Sequence, residues 1–374
     1  MKLLFITTGY LPMPAYRGGA VNTLLDQYIK YNNKDEIVVY SIGSNTDKNY
    51  FDNNTEYRYI HKTKFDKFKT IIKGVINKLP FVNITRHYIN MVVKDIVKRN
   101  ETNKYDFVIL ENTPLSIPYI SKNINSKIIL HLHNDYLNID TRLGKKIIDN
   151  TYKIICVSEF IKSRVDEISE NNKTIVVYNG INFDKFNNNY DKKNLRKKYN
   201  ISINKKVVLY VGRLLEKKGI FELIRSFVKI NDKNSLLLIV GNGSKKIKNE
   251  INKYIKGNKN IILFDYVDNS KISEIYSLSD IGVVPSRCNE AFGLTVIEGL
   301  SCNLKMIVSN DGAIPELLTK QDTIIVDKNN LEEELYNNLK ELLNSEIKVN
   351  NDLDYLHKKF SIEKHVKKIH DVFK

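Results

Sequence analysis

Apolar positions in this chain gather into short β-branched runs, separated by polar loops and by stretches of three- and four-residue periodicity. In the first half the runs are 2–7, 37–42, 107–111, 127–133, 153–158 and 174–178. Their length and their Gly, Asn and Pro boundaries read as buried strands. A polar, Asn- and Lys-rich interval follows at 181–204, and the pattern then restarts with runs at 207–212, 236–240, 261–264, 281–284 and 305–309. Strands alternating with helical periodicity in both halves predict an α/β protein. Its two open parallel sheets would face each other across a cleft, with one domain at 1–180, a linker at 181–204 and a second domain at 205–355. No period of 20–50 residues repeats.

The most informative stretch is 280–300. The strand at 281–284 is closed by Pro285 and Ser286, a polar loop follows, and Gly293-Leu294 opens a helix. A strand end leading into a helix start binds anions, because free backbone N–H groups point at the ligand. Two carboxylates frame the turn, Glu290 and Glu298, with seven residues between them. Carboxylates repel phosphate and suit hydroxyls, so the pair fits a ligand with phosphates in the middle and a sugar at each end, a nucleotide sugar. The spacing fits two surface glutamates equally well.

Other positions bear on the same question. Tyr10 to Gly19 is a Pro- and Gly-rich loop ahead of a helix starting near Ala20–Asn22, and Gly18-Gly19 either lets the backbone approach a ligand or makes a flexible connection. His133 ends a strand and precedes Asn134-Asp135, which puts it at the mouth of a cleft, in a structural or a functional role.

Composition narrows the classes. The chain of 374 residues has room for two domains of ordinary size, and its apolar content of 42% is that of a globular protein. Net charge is +16, and residues 61–100 hold ten Lys/Arg against Asp66 and Asp95. Such a patch points to a phosphate-rich partner. Within it Phe65, Phe68, Ile72, Val75 and Leu79 form one helical stripe interleaved with Lys64, Lys67, Lys69, Lys73 and Lys78, and Pro80 ends the run. The pattern fits a helix lying on an anionic membrane, and it fits equally a helix packed on its own sheet with lysines in solvent. Tyr88, Ile89, Val92, Val93, Ile96 and Val97 form a second periodic run. Cys156, Cys288 and Cys302 show neither metal nor secretory spacing and read as reduced cytosolic thiols. The opening apolar run is shorter than a signal-peptide core and reads as a first strand. No stretch approaches the ~18 apolar residues of a membrane span, so a soluble or peripheral cytoplasmic protein is expected.

Several chemistries lack their motifs. There is no G-x-x-x-x-G-K-[ST], no complete G-x-G-x-x-G after Gly241-Asn242-Gly243, and no H-E-x-x-H or paired cysteines. Asp352-Leu353-Asp354 imitates a metal-binding motif but lies in a polar stretch, and reads as surface.

The ordered set Val211-Gly212-Arg213, Lys218-Gly219, Val240-Gly241-Asn242-Gly243, Tyr266-Val267, Pro285-Ser286 and Glu290-x7-Glu298 resembles the retaining family-4 glycosyltransferases of GT-B fold. Gly18-Gly19, His133 and Asn179-Gly180-Ile181 agree, so the resemblance spans nearly the whole chain. It implies two Rossmann-like domains, and a C-terminal segment, 356–374, that returns to the first. It further implies that Arg213 and Lys218 bind the donor diphosphate, with backbone contact from Gly18 and Gly19. Glu298 takes the ribose hydroxyls and Glu290 those of the transferred sugar. Backbone of Phe292, Gly293 and Leu294 lines sugar and phosphate, backbone of Tyr266 and Val267 faces the base, and His133 lies beside the donor sugar. The catalytic set is then His133, Glu290, Arg213 and Lys218.

The activity so implied is transfer of a hexose-type sugar, from a nucleoside-diphosphate donor with uracil as the expected base, to a glycan or lipid-linked glycan of the bacterial cell surface. No metal, cofactor or nucleic-acid partner is expected, while an anionic membrane surface is. Two other readings stay open: a nucleotide-sugar epimerase on the same fold, and a non-catalytic basic interaction protein on a transferase scaffold.

Overall fold

The structure is a computed structural model, and it describes residues 1–15, 19–32, 34–43, 47–61, 87–170, 172–187, 189–264, 267, 269–319 and 321–374. Gly18, Tyr266 and the whole basic stripe from Lys64 to Lys73 lie outside these residues. The chain forms two compact units, one of Met1–Asn179 with His365–Lys374, the other of Gly180–Lys364.

The first unit holds an eight-stranded sheet. Its strands are β1 (Lys2–Ile6), β2 (Glu36–Gly43), β3 (Tyr50–Asp52), β4 (Thr55–His61), β5 (Phe107–Glu111), β6 (Lys127–Leu132), β7 (Lys153–Cys156) and β8 (Thr174–Val176), in the order β3-β4-β2-β1-β5-β6-β7-β8. All neighbours pair in parallel except the edge pair β3 and β4. The sequence pattern predicts neither β3 nor β4, because Thr55–His61 carries Glu56 and Arg58. The side chain of Arg58 is nevertheless buried, held by both oxygens of Glu56 at 2.7 Å and by Glu101. Paired and hydrogen-bonded charges can occupy an interior position that an unpaired charge cannot. Leu3, Phe5, Val39, Ile109 and Ile129 build the core, which Ile369 and Phe373 of the returning C-terminal segment complete.

The second unit is a six-stranded parallel sheet. β9 (Lys206–Val211), β10 (Ser235–Val240), β11 (Ile261–Phe264), β12 (Ile281–Val284), β13 (Lys305–Ser309) and β14 (Thr323–Val326) are arranged β11-β10-β9-β12-β13-β14. The order reverses between β9 and β12, and the crevice beyond the strand ends at such a switch is where open α/β sheets bind ligands. Leu223 and Phe227 of the helix Ile220–Ile230 and Leu335 and Leu339 of the helix Leu331–Asn344 cover this sheet.

Two expected boundaries are corrected. The interval 181–204 is no free linker but part of the second unit. Its helix Lys192–Lys198 starts on Asp191, whose side chain accepts two backbone N–H bonds. Arg196 is buried and donates to Leu278 O at 3.0 Å and to Asp280 Oδ2 at 2.5 Å. A polar composition conceals this because the charges pair inward. Likewise residues 356–364 stay with the second unit, and only 365–374 belong to the first. Asp352 caps the helix Leu353–Phe360, accepting Tyr355 N–H at 2.8 Å, a structural use of that carboxylate.

Candidate active site

In the second unit the predicted residues gather around the C-terminal ends of β9 and β12. After β9 comes a short 3-10 turn, Glu216–Lys218, ended by Gly219 in the left-handed region at φ 71°. A Cβ on Gly219 would stand 1.9 Å from Pro285 O, so the turn after β9 lies directly on the backbone that leaves β12. This contact brings Lys218 to Glu290, and the two form a half-buried ion pair. Ser286 Oγ also donates to Glu290 Oε2, at 3.1 Å. Arg213 is exposed and makes no ion pair among the described residues, while Tyr210 Oη donates to its carbonyl at 2.9 Å. Gly241 lies so near Gly212 that a Cβ on it would come within 1.7 Å of the Gly212 carbonyl oxygen, which explains the glycine after β10.

Asp311 organises the acidic loop. Its fully buried carboxylate accepts the backbone N–H groups of Cys288 and Glu290, both at 3.0 Å, and the Lys328 ammonium at 3.0 Å. Gly312, at φ 56°, lets the loop lie against it, since a Cβ there would be 2.2 Å from Glu290 O. Neither Asp311 nor Lys328 is predicted as a site residue. Their signal is long-range: a carboxylate after β13 and a lysine after β14 meet only when those strands pair.

The helix Leu294–Ser301 begins at Gly293, whose φ of 106° suits glycine. Phe292 is buried, its ring 5.9 Å from that of Phe360. Glu298 is half-buried and accepts from Tyr276 Oη at 2.8 Å. Burial raises its carboxyl above the usual range, against the opposing pull of Tyr276 and the more distant Lys185 ammonium. Val267 is half-buried after β11.

In the first unit Gly19 precedes the helix Ala20–Tyr31 with φ 97°. The ring of His133 is buried just past β6 and its Nε2 lies 2.8 Å from Glu111 Oε2, while His131 Nδ1 is 3.2 Å from the same oxygen. Burial, with the neighbouring His131, pushes His133 down to about 4, so the ring is neutral at physiological pH. Glu111 and His131 are not predicted as site residues. The available signal was a glutamate at the end of one strand and a histidine inside the next, in runs that otherwise read as apolar.

Two units, each built on a largely parallel sheet, with glycine-guided loops after β9 and β12 joined by the Lys218–Glu290 ion pair, are the architecture of the GT-B glycosyltransferase fold. Residues 191–360 match the family described as Glycosyl transferases group 1. The chain carries this group 1 domain and is a glycosyltransferase. Over 355 residues it is 27% identical to YtcC of Bacillus subtilis, which carries a glycosyltransferase name, covering 88% of this chain and 80% of that protein. It is 25% identical over 333 residues to the lipopolysaccharide 1,2-N-acetylglucosaminetransferase of Salmonella typhimurium, covering 85% and 82%. Among solved structures, Anabaena Alr3699/HepE in complex with UDP and glucose superposes with a TM-score of 0.75 at 16% identity, over 99% of this chain and 98% of that one. No helix among the described residues is long and apolar enough to cross a membrane.

Proposed function

We propose that the enzyme moves a hexose-type sugar from a UDP-sugar to a glycan or lipid-linked glycan acceptor in cell-surface polysaccharide synthesis, retaining the anomeric configuration and using no metal. The observation that carries this reading is the Lys218–Glu290 pair, which joins the turn after β9 to the loop after β12. A lysine paired with a carboxylate can exchange that partner for a phosphate, and the freed Glu290 can then accept from sugar hydroxyls. Exposed Arg213 adds a second cation for the leaving diphosphate.

On this reading Glu298 receives the ribose hydroxyls, with Tyr276 fixing its carboxyl. Backbone N–H groups of Phe292, Gly293 and Leu294 serve sugar and phosphate, backbone of Tyr266 and Val267 serves the base, and Gly18, Gly19 and His133 serve the phosphates and the donor sugar. No side chain among these is a persuasive covalent nucleophile. Front-face displacement follows, in which the departing diphosphate takes the acceptor proton while an oxocarbenium-like centre forms. Arg213, Lys218 and the helix start at Gly293 stabilise the charge that develops on departure, the main catalytic contribution. The lipopolysaccharide activity named for the Salmonella relative and the UDP in the Anabaena complex support a surface-glycan role and a uridine donor. The stripe Lys64, Phe65, Lys67, Phe68, Lys69, Ile72 and Lys73 is assigned to an anionic membrane face or the lipid-linked acceptor.

A thermal-shift titration with UDP, GDP, ADP, CMP and dTDP tests the donor site, since a ligand of the native state raises the melting temperature by mass action. The expected result is a shift with UDP that Lys218→Ala and Glu298→Ala each abolish. No shift from any nucleotide would sink the assignment.

A further inference from the structure

Glu111 closes β5, His131 lies within β6, and His133 follows its end. The strand register sets Glu111 opposite His131. His131 and His133 stand two residues apart, so the pleat turns both rings to one face, with centroids 4.0 Å apart. Glu111 Oε2 is 3.2 Å from His131 Nδ1 and 2.8 Å from His133 Nε2, and one ligating atom from each residue lies within 4.8 Å of the others.

The surroundings are those of a cation site. Glu111 is 2% exposed, and among the described residues neither lysine nor arginine pairs with it. A carboxylate so buried needs a compensating positive charge. Among the described residues, buried His131 Nε2 and Tyr28 Oη have no hydrogen-bond partner. Both residues line a cavity of about 10 Å³ with Glu111, His133 and His365, room for about one solvent ligand.

We propose that Glu111, His131 and His133 form a two-histidine, one-carboxylate site for a divalent transition ion of the zinc or cobalt class. Donor separations of 2.8 and 3.2 Å are close to the roughly 3 Å between ligands that sit about 2.1 Å from one ion. Imidazole nitrogen selects this class over magnesium and calcium, which take oxygen ligands. The ion supplies the missing charge and locks both rings. A consequence, resting on the assignment of His133 to the donor sugar, is that the ion acts as a brake, because a dication beside the sugar opposes the positive charge of an oxocarbenium-like centre.

The test is a cobalt(II) titration of the chelator-stripped full chain, read by visible ligand-field absorption. One ion per chain, displaced by zinc, is expected. Glu111→Gln and His131→Gln should each weaken binding at least tenfold, with folding checked by circular dichroism, and Cys288→Ser should leave it unchanged. No stoichiometric binding overturns the proposal, as does binding that survives both variants or disappears in Cys288→Ser. Transfer assays with and without zinc form a separate arm. Inhibition reversed by chelator supports the brake, whereas full activity of the zinc-loaded enzyme overturns it and leaves the cobalt result standing. Because the titration needs no donor, a wrong donor assignment cannot imitate its failure.

Discussion

The carboxylate of Asp311 accepts the backbone N–H of Glu290 at 3.0 Å, so a residue following β13 fixes the loop that follows β12. The same oxygen holds Cys288, and Lys328 neutralises the group from the far side. Asp311→Asn removes the charge and sets an amide among donors. The expected loss is about 2–3 kcal/mol of stability, the range for hydrogen bonds to buried charged groups. Urea unfolding measures it, and kcat should fall in parallel because Glu290 is released. An unchanged denaturation midpoint would contradict the clamp.

Lys218 and Glu290 share one ion pair yet carry different tasks. Lys218→Ala is expected to lower kcat/KM by about 10²–10³-fold, the usual effect of losing one preorganised group that stabilises developing charge. Glu290→Gln should lower kcat while leaving the affinity for free UDP within a few-fold. Steady-state kinetics beside UDP titration separates the two. Equal loss of UDP affinity in both variants would mean that Glu290 serves only to hold Lys218.

Glu298 makes stability depend on pH in a defined direction. Its folded carboxyl is raised by burial above the unfolded value, so the native state holds the proton more tightly. The proton-bound form is favoured at low pH, and this contribution is lost as pH rises through the folded value. Glu298→Gln should therefore melt higher than the parent near pH 8, with the gap narrowing towards pH 5, while UDP stabilisation is lost. Melting curves across that range check the sign, and a variant that melts lower at pH 8 would refute it.

Two glycines with similar backbone angles should respond differently to alanine. A Cβ added at Gly219, φ 71°, would stand 1.9 Å from Pro285 O, whereas one at Gly257, φ 81°, would meet open space. Left-handed strain alone costs about 1–2 kcal/mol, which is the expectation for Gly257→Ala. Gly219→Ala adds a backbone collision and should lose more, together with UDP binding. Similar melting temperatures for the two variants would exclude the close approach.

Charge reversal at Lys67, Lys69 and Lys73 should abolish sedimentation with anionic liposomes and leave UDP affinity unchanged. Retained liposome binding would end the membrane assignment.

The sequence by itself determined the alternation of strands and helices, the two-sheet class, and the local signatures Arg213, Lys218, Glu290, Glu298 and Gly293. These are legible because a turn glycine, a helix start or a buried run obeys rules that act within a few residues. Tertiary structure decided the rest. That Lys218 meets Glu290, Asp311 clamps residues 288–290, Tyr276 engages Glu298, and Glu111 gathers two histidines depends on which strands lie side by side. Composition also misleads where charges pair inward, as with Arg58 in β4 and Arg196 in the supposed linker. A polar residue in sequence carries no mark of its eventual partner, and it is the partner, supplied by strand order, that lets it be buried and gives it a task.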